Sequence, residues 1–158
     1  MQSFHRIVFT LLSLPILGCT HSRLLKQTPT GPATKSGLAV YMIGIGKIPL
    51  IVIPGGPGAS SKLYRRYLGP LGERHRLVFW DYRGTGNSKP TTAFGFAHDH
   101  ADLKEVIQSL NAPRVSLLAH SYGGVHAVKL ASENTHLIDK LILVSTSPHF
   151  LSSAKESI

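Results

Sequence analysis

The sequence predicts an α/β fold: a mostly parallel sheet with helices on both faces. Three observations carry that expectation. First, short apolar runs recur between residues 38 and 144, and the run at 50–53 has no polar residue at alternate positions. Continuous runs of that length suit strands covered on both faces, as in a parallel sheet. Second, segments with helical spacing separate the runs, and strand–helix alternation is the pattern of α/β folds. Third, the chain has 158 residues, 42% of them hydrophobic and 16% charged, with one Cys. That composition excludes a disordered, collagen-like or disulfide-stapled protein, and the length can bury roughly two-thirds of its unfolded surface as one domain.

Taken in order, residues 38–43 and 50–53 read as two strands joined by a Gly-rich turn at 44–47. Residues 77–80, 115–119 and 141–144 are three further strands. Helices are expected over about 61–71, 98–110 and 125–133. In the second, Ala101, Leu103, Val106, Ile107 and Leu110 fall on one face.

The first residues are set apart. His5 and Arg6 precede an apolar run at 7–17, too short to span a bilayer and of the length of a signal-peptide core. Ile16-Leu17-Gly18-Cys19 then resembles a bacterial lipobox, and it holds the only Cys. Residues 1–18 are therefore expected to be a signal peptide and Cys19 the site of lipidation. An ordinary cleaved signal with an incidental Cys, or a buried N-terminal helix, is the alternative. Residues 19–36, rich in Thr, Ser, Pro and Gly, read as the lipidated Cys and a tether, and 37–158 as the folded part. Together these features imply a lipid-anchored protein of the bacterial cell envelope.

The net charge of +9 is unevenly placed, with eight Lys or Arg and no Asp or Glu before Glu73. The cations are scattered and lack an aromatic-interleaved stripe, so no nucleic-acid partner is expected. They read as a solvated surface, with attraction to an anionic membrane surface as the alternative.

Three loops concentrate the chemistry. Pro54-Gly55-Gly56-Pro57-Gly58 follows the second strand, and its exposed amides can form half of an oxyanion hole, with Gly56 N–H as the expected donor. Asp81-Tyr82-Arg83-Gly84-Thr85-Gly86-Asn87-Ser88 follows the third strand. It lacks the Lys and helix start of a phosphate loop and is expected to shape the site through Asp and Arg bonds to turn amides and carbonyls. Ala119-His120-Ser121-Tyr122-Gly123-Gly124 lies between a strand and a helix, the context of a nucleophile elbow. Ser121 is the candidate nucleophile and Tyr122 N–H the second oxyanion donor. Ala119 and Gly123 are the small residues that such a turn needs two positions to either side.

These three motifs in this order resemble the α/β-hydrolase superfamily and, within it, the proline iminopeptidase-like branch, over roughly residues 37–148. Pro54 stands where that family usually has His, Ala119 where Gly is usual, and Tyr82 where many peptidase members have Gln. The resemblance implies an α/β-hydrolase fold and a serine hydrolase acting on a peptide N-terminus or a small ester or amide. It also implies a triad ordered Ser, acid, His, with the last two on loops after later strands. Residues 141–144 resemble the sixth strand of that fold, so the chain reads as an incomplete domain whose strands after the sixth, triad acid and His are missing.

Substitutes are few. His126 and Glu133 go with the helix after the elbow, His136 and Asp139 precede the last strand, and His149 alone emerges at the strand ends where ligands bind. His120 is expected to be structural. No His, Cys or carboxylate cluster has ligand spacing, so neither metal nor cofactor is expected. A non-catalytic envelope lipoprotein and a non-functional gene fragment are the alternatives.

Overall fold

The computed structural model describes residues 28–146. Cys19, the apolar run at 7–17, His149 and Glu156 lie outside the described residues. Five strands form one sheet: β1 (Val40–Ile43), β2 (Leu50–Ile53), β3 (Leu77–Trp80), β4 (Val115–His120) and β5 (Ile138–Val144). Three α-helices connect them: α1 (Lys62–Leu68), α2 (Phe96–Ser109) and α3 (Tyr122–Glu133). The spatial order is β1-β3-β2-β4-β5, with β1 antiparallel to β3 and every other pair parallel.

Why these runs have no polar side is visible in the packing. Alternate residues of β1 to β4 enter opposite cores. Ile51, Ile53, Val78, Trp80, Leu117 and Ala119 meet Leu103 and Val106 of α2 and Ala127 and Leu130 of α3 on one face. Tyr41, Val52 and Phe79 meet Tyr64 and Leu68 of α1 on the other. A strand buried on both faces must be apolar at every position.

The elements depart from the sequence reading where local chemistry intervenes. The Gly-rich turn does not close a hairpin, because β1 leaves β2 and pairs with β3. The first helix stops at Leu68, and Gly69-Pro70 converts its continuation into a 3-10 turn over Gly69–Glu73. Helix α2 begins at Phe96 and α3 at Tyr122, two and three residues before the apolar spacing is legible. The last strand starts at Ile138, so Asp139 lies within it and pairs with Arg114 at 3.1 Å. By chain order it is the fifth strand of this sheet, although the resemblance numbered it sixth. Its residues Leu141, Ile142, Leu143 and Val144 are 38–44% exposed.

The described part of the expected tether is bonded to the domain. Thr30 and Gly31 N–H donate to Val40 O at 3.0 and 2.9 Å. Ser36 N–H and Oγ donate to the Glu105 carboxylate at 2.8 and 2.6 Å.

The topology positions the site. The connection from β2 to β3 carries α1 over one face, whereas β3 to β4 and β4 to β5 carry α2 and α3 over the other. The winding reverses at β2 and β4, and ligands of open α/β sheets bind beyond the strand ends at such a switch point. Ile53 pairs with Ala119 in the register, so the loop after β2 and the turn after β4 emerge side by side.

Candidate active site

Ser121 sits between the last residue of β4 and the first of α3 with φ 50° and ψ −121°. A non-Gly residue there costs about 1–3 kcal/mol and persists only where its surroundings hold it. They do so from three sides. Its N–H donates to Val144 O at 2.9 Å, and Gly124 N–H donates to its carbonyl at 2.9 Å. Thr146 Oγ1 donates to the same carbonyl at 3.4 Å.

Close approach explains the small residue at position 123. A Cβ on Gly123 would lie 2.5 Å from Pro54 O and 2.7 Å from Ile53 O, both backbone atoms that cannot swing aside. Gly123→Ala is therefore expected to destabilise the protein by about 1–3 kcal/mol. Thermal unfolding checks this, and an unchanged midpoint would contradict the packing described.

The Gly-rich loop lies against this turn. A Cβ on Gly55 would be 3.1 Å from Ser121 Cβ. Gly56 has φ +69°, and nothing lies within 4 Å of the position its Cβ would take, so the loop opens onto free space there. Tyr82 Oη donates to Pro54 O at 3.2 Å, and Gly55 N–H donates to Tyr64 Oη at 2.8 Å. Tyr82 is buried, and burial pushes its phenol well above the usual range, so it remains a donor. Among the described residues neither Gly56 N–H nor Tyr122 N–H makes a hydrogen bond. Tyr122 N–H opens a helix of twelve residues, whose N-terminus favours negative charge.

The Asp81 loop shapes the site from beneath. Asp81 Oδ1 accepts from Ser61 N–H and Oγ at 2.6 and 2.7 Å, while Oδ2 accepts from Tyr41 Oη and Asn87 N–H, each at 3.0 Å. Arg83 grips Asp102 of α2 through Nε and Nη2 at 2.7 and 2.6 Å and reaches the carbonyls of Ala93 and His98. The expected division of labour, Asp to amides and Arg to carbonyls, is observed, with an ion pair to α2 that the spacing did not reveal.

The histidines divide as follows. His126 is fully buried under the elbow. His100 bonds Glu133 at 3.3 Å, and His136 lies at the opposite strand ends. His120 directs Nδ1 to Tyr64 Oη at 2.9 Å. Among the described residues no imidazole or carboxylate bonds Ser121 Oγ. An apolar hollow of about 340 Å³ lies between α1 and β4–β5, lined by Leu63, Tyr64, Tyr67, Leu118, His120 and Val144. Ser121 is not among its walls. The described residues contain no cluster of three metal-ligating side chains and no helix long and apolar enough to cross a membrane.

Sequence reasoning missed Tyr64 and Asp99. Tyr122 Oη donates to Asp99 Oδ2 at 3.2 Å, tying the elbow to the first turn of α2. Burial raises the Asp99 carboxyl, an effect this bond opposes. Neither residue sits in a motif, and each reads locally as an ordinary helix position.

A profile of the α/β hydrolase fold matches residues 48–158. The chain belongs to the α/β-hydrolase fold family. This family member is 30% identical over 102 residues to the protein named carbamate hydrolase RutD of Serratia proteamaculans, an alignment covering 63% of this chain and 38% of that protein. It is 29% identical over 101 residues to a soluble epoxide hydrolase of a Corynebacterium species, covering 63% and 35%. Among solved structures, the proline iminopeptidase-related protein of Thermus thermophilus superposes with TM-score 0.63 at 28% identity, covering 69% of this chain and 40% of that one. An α/β hydrolase fold protein of Burkholderia ambifaria gives 0.65 at 27%, covering 76% and 45%. The chain thus spans about two-fifths of the length of the relatives it matches.

Proposed function

We propose that this α/β-hydrolase-family chain carries the nucleophilic half of a serine hydrolase. Ser121 is the nucleophile, the Gly56 and Tyr122 N–H groups are the oxyanion donors, and the general base comes from outside residues 28–146. The observation that carries the reading is the strained φ of Ser121 at a strand-to-helix turn in contact with the Gly-rich loop. Such strain clusters at functional sites, and at a strand-to-helix turn it lifts the side chain out of the regular backbone path.

In this reading Ser121 Oγ attacks a carbonyl carbon and its proton passes to the base. The oxyanion is held by the two amides, and collapse expels the leaving group, which takes up that proton, to give an acyl-enzyme. Water then releases the acid and restores Ser121. Such chemistry suits a peptide N-terminus, as the Thermus neighbour's name suggests, or a small ester, amide or carbamate. It does not suit an epoxide. A serine alkoxide that opened an epoxide would form an ether, which water does not readily cleave, so the similarity to an epoxide hydrolase is read as kinship of fold. Covalent reaction of Ser121 with a fluorophosphonate tests the proposal.

We also propose that residues 1–18 are a signal peptide and Cys19 a lipidated residue that holds the protein in a bacterial envelope. The apolar run, the Gly18-Cys19 pair and the use of the sole Cys at that place support it. Several acyl chains would make the anchoring stable where one would be marginal. Metabolic palmitate labelling is expected in the wild type and absent in Cys19→Ser; equal labelling of the two, or none in the wild type, sinks the anchor.

A further inference from the structure

We propose that Tyr64 is a positioning residue of the oxyanion loop, a role that rests on the hydrolase reading above. Pro54 has no N–H to fix the loop, and the first amide available after β2 is that of Gly55. It donates to Tyr64 Oη at 2.8 Å, and the same hydroxyl lies 2.9 Å from His120 Nδ1. One proton arrangement uses every donor and acceptor of the three groups within the bridge. Gly55 N–H donates to Tyr64 Oη, Tyr64 O–H donates to Nδ1, and His120 carries its proton on Nε2.

Tyr64 thus joins the Gly-rich loop to the residue that precedes the nucleophile. The contact is close, since a Cβ on Gly55 would lie 2.5 Å from His120 Nδ1. The far side of the loop is held by Tyr82 Oη on Pro54 O. Between them the two phenols clamp opposite edges of one peptide plane, that between Pro54 and Gly55. The next amide, that of Gly56, lies in the adjoining plane one glycine further on, so its aim is set from the plane those two bonds hold. Donors preorganised toward the developing charge account for a large part of catalysis by such sites, and a misplacement of 1 Å can cost about 100-fold.

The test compares the full chain with its Tyr64→Phe variant, which keeps the ring and removes the hydroxyl. Three quantities are read: exchange of the Gly55 amide, the nitrogen chemical shifts of the His120 ring, and the rate of Ser121 phosphonylation under excess fluorophosphonate. The variant is expected to exchange Gly55 about 10-fold faster or more, to shift His120 Nδ1, and to slow phosphonylation about 10- to 100-fold. Should Tyr64→Phe fold poorly, His120→Leu removes the other end of the bridge and is expected to act in the same direction with a smaller change. Unchanged Gly55 exchange would overturn the bridge, whatever the protein catalyses. Faster exchange with an unchanged phosphonylation rate would overturn the positioning role. A wild type that never labels would count against the hydrolase reading, and the role falls with it, even if Gly55 responds.

Discussion

Lowering the pH from about 6.5 to about 3.5 is expected to remove on the order of 4 kcal/mol of folding stability, through His126. The ring is fully buried and stacks on Phe96 with centroids 4.4 Å apart. Tyr122 meets it edge-on at 4.7 Å, with Tyr82 and His100 at 6.4 and 5.9 Å. Neither of its nitrogens has a hydrogen-bond partner among the described residues. Burial, reinforced by neighbouring His100, therefore lowers its pKa from the ordinary 6.5 to about 3. The unfolded chain protonates this ring below 6.5 while the folded chain does not until about 3. Stability is thus complete above pH 6.5 and falls by about 1.4 kcal/mol per unit as the pH drops through that window.

Other groups act in the same direction but can be separated. Burial also lowers His100, so it adds to the same window. Glu133, held down to about 2 mainly by Lys104 and Lys129, contributes only below 4.5 and is largely solvated. His126→Leu loses no hydrogen bond and removes the buried imidazole. It is expected to leave stability at pH 7.5 unchanged or raised, and to flatten the decline between pH 6.5 and 4.5. Denaturant unfolding at a series of pH values measures both slopes, and equal slopes for the two proteins would contradict the assignment. The same cluster supports Tyr122, so acid is also expected to loosen the elbow.

What was legible beforehand follows from periodicity. Strands such as 50–53 and 77–80 stood out because both faces are buried, and three consecutive motifs made the strand-to-helix turn at Ser121 plain. Helix starts were hidden where the first turn is polar or glycine-rich, as at Phe96 and Tyr122. The start of β5 was hidden because Asp139 and Lys140 at the sheet edge can face water. Pairing of β1 with β3 was hidden too, since a Gly-rich turn between two strands looks the same whether or not it closes a hairpin. The loop's supports could not be read at all. Tyr64 reaches Gly55 in a loop and His120 at the end of β4 from helix α1, and a hydrogen bond between residues 56 positions apart leaves no local trace.

Replacing Ser121 by Ala is expected to abolish covalent capture of an electrophile at the site. Its hydroxyl is a weak nucleophile until a positioned base takes the proton, and loss of nucleophile or base costs on the order of 10⁶-fold in turnover in serine hydrolases. What remains without the base, roughly 10³ to 10⁴ over water, comes from the oxyanion donors and binding. Where that base is a triad His on a later strand, as the family resemblance implies, the 158-residue chain by itself is expected to hydrolyse esters and amino-acyl amides barely and to label slowly. Joining it to the base-bearing half of a relative is expected to restore both.

The most direct measurement is therefore the rate and position of fluorophosphonate labelling, read by intact mass and peptide mapping. It would compare the 158-residue chain, the extended chain and Ser121→Ala in each background. The account predicts modification at Ser121 alone, slow in the short chain, at least 10²-fold faster in the extended one, and absent in both Ser121→Ala forms. Labelling that survives in Ser121→Ala, or maps to another residue, or stays equally slow after extension, would contradict it.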